Sequence, residues 1–250
     1  MNLPEPKTES LLSLLGSLPE AEKAEVLENL TPNEVKTVLA EMDQLYRQDP
    51  WLWFTNEVLT VDEATQTKRP WPDKAYLEDL VEALRTETKL CIPKSRRMMV
   101  SWTMAAWSVY KARYFPNNAI FYQSETENKS AYIVDKRCCY IENNLADSML
   151  RRKYHSIKTN AGLIGRVTYD DTDSYIWAIP QGDSVIRTYT FSLLVMDECD
   201  FQPEGVTALD AALSIAEEGK QNQIVLLTTS NGPSGVAAEI CRGAGLTRFV

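Results

Sequence analysis

Histidine and cysteine are scarce in this chain of 250 residues, and long apolar runs are missing altogether. The single histidine, His155, is read as a surface residue rather than as a ligand. The five cysteines, Cys91, Cys138, Cys139, Cys199 and Cys241, are odd in number and show no C-x-x-C spacing. That argues against both a disulfide framework and a zinc site. No stretch of eighteen or more apolar residues exists, so no segment is read as membrane-spanning. The first ten residues, MNLPEPKTES, have neither the basic start nor the apolar stretch of a signal peptide, and a cytosolic protein is expected. There is no internal repeat, no low-complexity tract and no G-K-[ST] tripeptide.

What is present is enough for a sizeable core: 44% of the residues are hydrophobic, and the length allows one large domain with an appended helical segment. The net charge of −9 is unevenly spread. Residues 1–50 hold ten acids against four bases, a net of −6, which leaves −3 for the other 200 residues. Those contain the basic runs Lys94-Ser95-Arg96-Arg97 and Arg151-Arg152-Lys153. A nucleic-acid backbone requires a basic patch, not a basic protein, so the overall charge does not exclude one.

Residues 1–49 read as short helices. Leu11, Leu12, Leu14, Leu15 and Leu18 precede a Pro19-Glu20 helix start, and Val26, Leu27 and Leu30 come next at helical spacing. Thr31-Pro32-Asn33-Glu34 is a capping-box pattern, after which Val35, Val38, Leu39, Met42 and Leu45 line one face up to Asp49-Pro50. The segment is either a helical lid on the main domain or an acidic docking element for a partner subunit.

Beyond it, helix and strand patterns alternate. Tyr76–Leu84 is an amphipathic helix, Lys89–Pro93 a strand, Met104–Tyr114 a helix, Ala119–Gln123 a strand and Ala131–Ile141 a helix. A meander with turns at Asp170-Asp171 and Gln181-Gly182-Asp183 leads to the apolar strands 192–197 and 224–228. This order predicts an α/β fold with a mainly parallel central sheet and a site at the carboxyl ends of its strands.

Three of those ends carry chemistry. Between the strand ending at Pro93 and the next helix lie Lys94, Ser95, Arg96, Arg97, Met98, Met99, Val100 and Ser101. Cations, a hydroxyl and a helix start are what a phosphate loop needs, yet such a turn can also be merely basic. The strand 193–196 ends in Asp197-Glu198, either one acid to hold Mg²⁺ and the next to activate water or simply acids at the surface. The strand 224–228 runs into Thr228-Thr229-Ser230, hydroxyls that either sense a phosphate or simply form a turn.

In this order and spacing the three elements resemble the large terminase subunits of tailed bacteriophages, many of which carry a phosphate loop of the form K-S-R-x-x-x-x-S. Lys94–Ser101 looks like that loop, Asp197-Glu198 like the Walker B pair, and Thr228-Thr229-Ser230 like the coupling motif. Residues 50–54 and Pro70-Trp71-Pro72 look like the family's lead-in to the adenine pocket, and Gln123-Ser124 like the segment after its second strand. Ile186-Arg187 is similar to the family's IRG, with Thr188 in place of glycine, and Met99 replaces a glycine that many members carry. The resemblance covers roughly residues 50–240.

It implies a P-loop ASCE (RecA-like) ATPase domain at 50–250 after the helical segment 1–49. The family's RNase H-like nuclease domain has no counterpart before residue 250, so a motor domain cut from a longer protein, without nuclease activity, is expected. Lys94–Ser101 would bind the phosphates, with Lys94 or Arg96 as the principal cation. Ser101 and Asp197 would hold Mg²⁺, and Trp71 and Gln123 would meet the adenine. Glu198 would be the base, Thr228–Ser230 the coupling segment, and Arg187 a finger on a neighbouring subunit's ATP. Arg187 could equally pair with an acid such as Asp183, or touch DNA. The implied partners are double-stranded DNA held by its backbone, a portal protein, a small terminase subunit and further copies in a pentameric ring. The implied location is the host cytoplasm, transiently on the procapsid. A helicase-like DNA-dependent ATPase, a catalytically inactive nucleotide-binding scaffold and an adaptor working through its acidic helices are the rival readings.

Overall fold

The computed structural model describes residues 29–62, 64–94, 98–218, 222–229, 236 and 247–249. The chain forms two compact units, Met1–Pro50 and Trp51–Val250.

In the first unit, helix α1 (Pro32–Gln48) opens with the capping box read from the sequence. Thr31 N–H donates to Glu34 Oε2 at 2.8 Å, and Thr31 Oγ1 accepts from Glu34 N–H at 3.4 Å, so two amides that the helix leaves free find partners. Pro32, with no amide hydrogen to lose, sits at the first helical position. The leucine pattern at 11–27 lies outside the described residues.

The second unit opens on α2 (Pro50–Glu57), whose Trp53 and Phe54 are fully buried. Phe54 meets Trp71 edge to face at 4.9 Å, and Trp53 packs on Tyr110 and Tyr114. Burying a Phe-sized side chain contributes about 1.5–3 kcal/mol, so this aromatic cluster is a large part of the local stability. A hairpin of β1 (Leu59–Val61) and β2 (Lys68–Pro70) comes next, then α3 (Ala75–Thr86).

Among the described residues, eight strands form the central sheet. They are β3 (Lys89–Pro93), β4 (Ala119–Gln123), β5 (Tyr154–Lys158), β6 (Ile164–Tyr169), β7 (Tyr175–Ile179), β8 (Leu193–Asp197), β9 (Gln223–Thr228) and β10 (Thr247–Arg248). Their order is β10-β3-β9-β8-β4-β7-β6-β5. Every pairing from β10 to β7 is parallel, and only the β5–β6 and β6–β7 pairings are antiparallel. β8 and β9 are buried at every residue, as strands covered on both faces must be, whereas β6 alternates between buried and half-buried positions.

Helix α4 (Val100–Tyr114) joins β3 to β4, and thirteen of its fifteen residues are buried. A helix apolar on all sides belongs inside a fold, and burial all round explains the even scatter of its hydrophobic residues. It starts one turn earlier than the sequence pattern predicts. Gln223 at the base of β9 ties the layer together: its Oε1 accepts from Trp107 Nε1 at 3.0 Å and its Nε2 donates to Leu84 O and Glu87 O. On one face of the sheet Phe121, Leu194, Met196, Ile224 and Leu226 pack with α7 (Ser184–Thr188) and α8 (Gly205–Glu218) into a single cluster.

The helix expected at 131–141 is longer and interrupted. It runs as α5 (Glu127–Ile133), a π-turn at Val134–Cys138 and α6 (Cys139–Asn143). The Cys139 amide donates to Val134 O, five residues back instead of four.

Candidate active site

Register brings the three strand ends together. β9 lies between β3 and β8, with Pro93 opposite Thr228 and Leu227 opposite Asp197. The backbone of Lys94 donates to Thr228 O at 2.8 Å, so its side chain leaves the sheet beside the acids of β8. Lys94 Nζ lies 2.7 Å from Asp197 Oδ1, 3.2 Å from Glu198 Oε1 and 3.2 Å from Ser101 Oγ. The Lys94 side chain is 10% exposed and that of Asp197 7%, burial that neither charge would tolerate without the other.

Glu198 is held from its other side by Thr229, whose amide and hydroxyl donate to Oε2 at 3.3 and 3.0 Å. Partial burial works to raise its pKa, but the charge of Lys94 and the bonds from Thr229 and Lys94 outweigh it. The carboxyl is therefore held below the usual glutamate range and is ionised at neutral pH. Thr228 Oγ1 accepts from the Asp200 amide, so both threonines grip the turn just after Asp197.

Two bulky residues here have left-handed backbones, Met99 at φ 59° and Glu198 at φ 51°. Each such residue costs on the order of 1–3 kcal/mol unless its surroundings enforce it. Met99 stands where the resembled family often has glycine, and its conformation is the one that glycine adopts freely. No side chain of the described residues caps α4 at Met99, so the first amides of the helix face the space in front of them.

That space is a cavity of about 620 Å³, a size suited to a small-molecule ligand. One wall is Lys94, Met98 to Trp102, Glu198 and Thr229; the other is the β1–β2 hairpin through Val61, Asp62, Ala64 and Arg69, with Arg137 completing the lining. Asp62 Oδ1 accepts the Ala64 and Thr65 amides, and its Oδ2 pairs with Arg69 at 3.1 Å. A helix amino terminus with a lysine beside it is a site for an anion.

Of the residues singled out from the sequence, Lys94, Met98, Met99, Val100, Ser101, Glu198 and Thr229 line the cavity, and Asp197 and Thr228 adjoin it. Ser95, Arg96, Arg97 and Ser230 lie outside the described residues. Trp71 and Gln123 do not line it. Trp71 is 4% exposed against Phe54, and Gln123 is fully buried with Nε2 donating to Pro180 O and Gly182 O. Arg187 is also elsewhere, on α7, with Nε 2.6 Å from Asp183 Oδ2. The sequence pattern gave no sign of Asp62, Arg69, Trp102 or Arg137 as lining residues. Arg69 sits in the polar stretch before Pro70, but nothing local marks Arg137.

Asp197 and Ser101 are hard oxygen donors converging on one point, and the Lys94 ammonium stands there as a cation. Among the described residues no group of three or more His, Cys, Asp or Glu is arranged to hold a metal ion. A donor set this sparse fits Mg²⁺, which keeps several waters and takes its other ligands from a bound phosphate.

A strand–loop–helix turn closing on acids at the tip of a parallel strand two places along the sheet defines the class: a P-loop fold of the RecA-like kind. Within that class the fold is that of the phage large terminases. The crystal structure of the HK97 bacteriophage large terminase matches with a TM-score of 0.59 and 13% identity, over 79% of this chain and 41% of that one. The large terminase from a thermophilic bacteriophage matches with a TM-score of 0.53 and 13% identity, over 71% of this chain and 45% of that one. The chain thus spans less than half the length of either. No family model matches it, and no curated protein matches it in sequence.

Proposed function

We propose that this chain is the ATPase motor of a phage large terminase, hydrolysing ATP with Mg²⁺ to move double-stranded DNA into a procapsid. The observation that carries this reading is Lys94, which joins Ser101, Asp197 and Glu198 at the amino terminus of α4. Lys94 and the amides of α4 bind the β- and γ-phosphates, drawing the lysine from its acids onto the nucleotide. Ser101 and Asp197 would hold Mg²⁺, which would supply charge neutralisation to the phosphates. Glu198, held by Thr229, orients water in line with the γ-phosphate and takes its proton. Loss of the phosphate frees Lys94 to return to the acids. Because Thr229 bonds to Glu198 and Thr228 to the Asp200 amide, that return moves the end of β9. These contacts support the role of Thr228–Ser230 in coupling hydrolysis to movement.

The wider reading is a ring of copies on the procapsid in the host cytoplasm, meeting a portal and a small subunit and gripping DNA by its phosphates. In such a ring Arg187 leaves Asp183 and reaches a neighbour's ATP. The test is turnover of purified protein with ATP and Mg²⁺, with and without double-stranded DNA, at two salt concentrations. We expect turnover, stimulation by DNA and loss of the stimulation at high salt. No turnover under any condition refutes the motor, and turnover indifferent to DNA refutes the packaging role. For Arg187, mixing Arg187→Ala with Glu198→Gln protein should restore activity that neither has alone; a mixture as inactive as its parts rejects the finger.

A further inference from the structure

Five arginines in the second unit are committed to acids: Arg69 to Asp62, Arg85 to Glu82, Arg113 to Glu142, Arg152 to Asp171 and Arg187 to Asp183. Arg137 is not. It lines the cavity, half-buried, and among the described residues no carboxylate pairs with it. Its guanidinium lies over the Trp102 ring, 5.6 Å from the centroid, and Trp102 comes directly after Ser101 on α4. A cation–π contact holds a guanidinium against a ring without using its N–H groups, which stay able to bond a phosphate on two oxygens.

The backbone aims it there. Arg137 belongs to the π-turn Val134–Cys138, and one extra residue in a helical turn rotates the rest of the helix by about 100° relative to an unbroken one. The neighbours Val134 and Cys138 are buried against the fold, Cys138 toward the Ala105 carbonyl of α4, while Arg137 faces the cavity. Trp102, the ring it lies over, follows Ser101, so Arg137 lines the cavity beside the start of α4.

We propose that Arg137 binds the terminal phosphate of the nucleotide in cis, from the same chain that supplies Lys94 and Glu198. The assignment rests on the reading of the cavity as a nucleotide site. Lys94 spans the β- and γ-phosphates and so keeps one partner in ADP, whereas Arg137 is matched to the terminal phosphate alone, the one that hydrolysis removes.

The experiment compares the affinities of ADP and ATP-γ-S, each with Mg²⁺, for the intact chain and for Arg137→Gln, Arg137→Lys and Arg69→Ala. Arg137→Gln should weaken ATP-γ-S about ten- to a hundredfold, the range of a charge-assisted hydrogen bond, and ADP less than about threefold. Arg137→Lys should fall between, and Arg69→Ala, on the hairpin wall, should leave the ratio of the two affinities unchanged. A merely structural Arg137 would weaken both nucleotides alike. Equal losses, or none, in Arg137→Gln with a discriminating wild type overturn the assignment alone. Should Arg137→Gln not fold, the ratio in Arg137→Lys decides, an unchanged value rejecting the contact. A wild type that binds neither nucleotide removes the nucleotide reading and this assignment together.

Discussion

At its carboxyl-terminal end, α4 carries Arg113, fully buried, with Nη1 2.6 Å from Glu142 Oε1 and Nη2 donating to Leu150 O. At its amino-terminal end the same helix meets Lys94, Asp197 and Glu198 on the wall of an open cavity. Both ends set a cation against acids. The closed end joins α4 to α6 and to the chain leading into β5, and its carboxylate also accepts the Arg152 amide at 2.7 Å. Its charges have nowhere else to go. The open end has left-handed backbones at Glu198 and at Met99, where α4 begins, with a flexible lysine as the movable member. One pair fixes the helix, and the other is poised to exchange its partner for a phosphate.

Breaking the open end should show in rate before it shows in stability. Glu198→Gln should lower turnover on the order of a hundred- to ten-thousand-fold while leaving binding of an ATP analogue intact, as single-turnover and titration measurements would reveal. Near wild-type turnover would reject Glu198 as the base. The same variant isolates a pH effect. Because the folded-state pKa of Glu198 lies below its ordinary value of 4.5, its ionised form contributes stability above that value. That contribution is lost as pH falls through the lower, folded pKa. Wild type should therefore lose stability relative to Glu198→Gln on acidification below 4.5, and parallel curves would contradict the pairing.

Breaking the closed end should do the reverse. Arg113→Met strands Glu142 as a buried, unpaired carboxylate, which costs roughly 3–5 kcal/mol, measured by urea unfolding. Any protein that still folds should bind nucleotide with unchanged ADP to ATP-γ-S preference. Next in size, Lys94→Ala should weaken ATP binding about ten- to a hundredfold, and more than Arg97→Ala does. Titration with a fluorescent nucleotide checks the order, and equal losses would leave the principal cation unassigned to Lys94. The smallest effect is expected at Met99→Gly, which relieves a left-handed backbone and should raise stability by about 1 kcal/mol, seen as a higher thermal midpoint.

The strands β3 and β4 were legible to the residue, since continuous apolar runs bounded by Pro93 and by turn residues admit little else. The capping box of α1 was legible for the same local reason. Other features resisted. The π-turn at Val134–Cys138 accompanies contacts of Arg137 with the Trp102 ring and of Cys138 with the Ala105 carbonyl, on a helix some thirty residues upstream. No short-range pattern encodes it. Trp71, which the resemblance places at the adenine, is 4% exposed with its ring edge to face against Phe54, and it does not line the cavity.

By itself the sequence determined the alternation of helix and strand, the tips at which Lys94, Asp197 and Thr228 would sit, and the chemistry those side chains offer, because all of these depend on neighbours close along the chain. Only the tertiary structure decided that β9 inserts between β3 and β8, which is what sets Lys94 within 2.7 Å of an acid 103 residues away. It also separated the arginines. Arg187 is satisfied by Asp183 one helical turn before it, whereas Arg137 is turned by a single extra residue toward the cavity and left with an aromatic ring but no acid. Strand order and side-chain partnership are settled by packing across the sheet, where sequence distance carries almost no information.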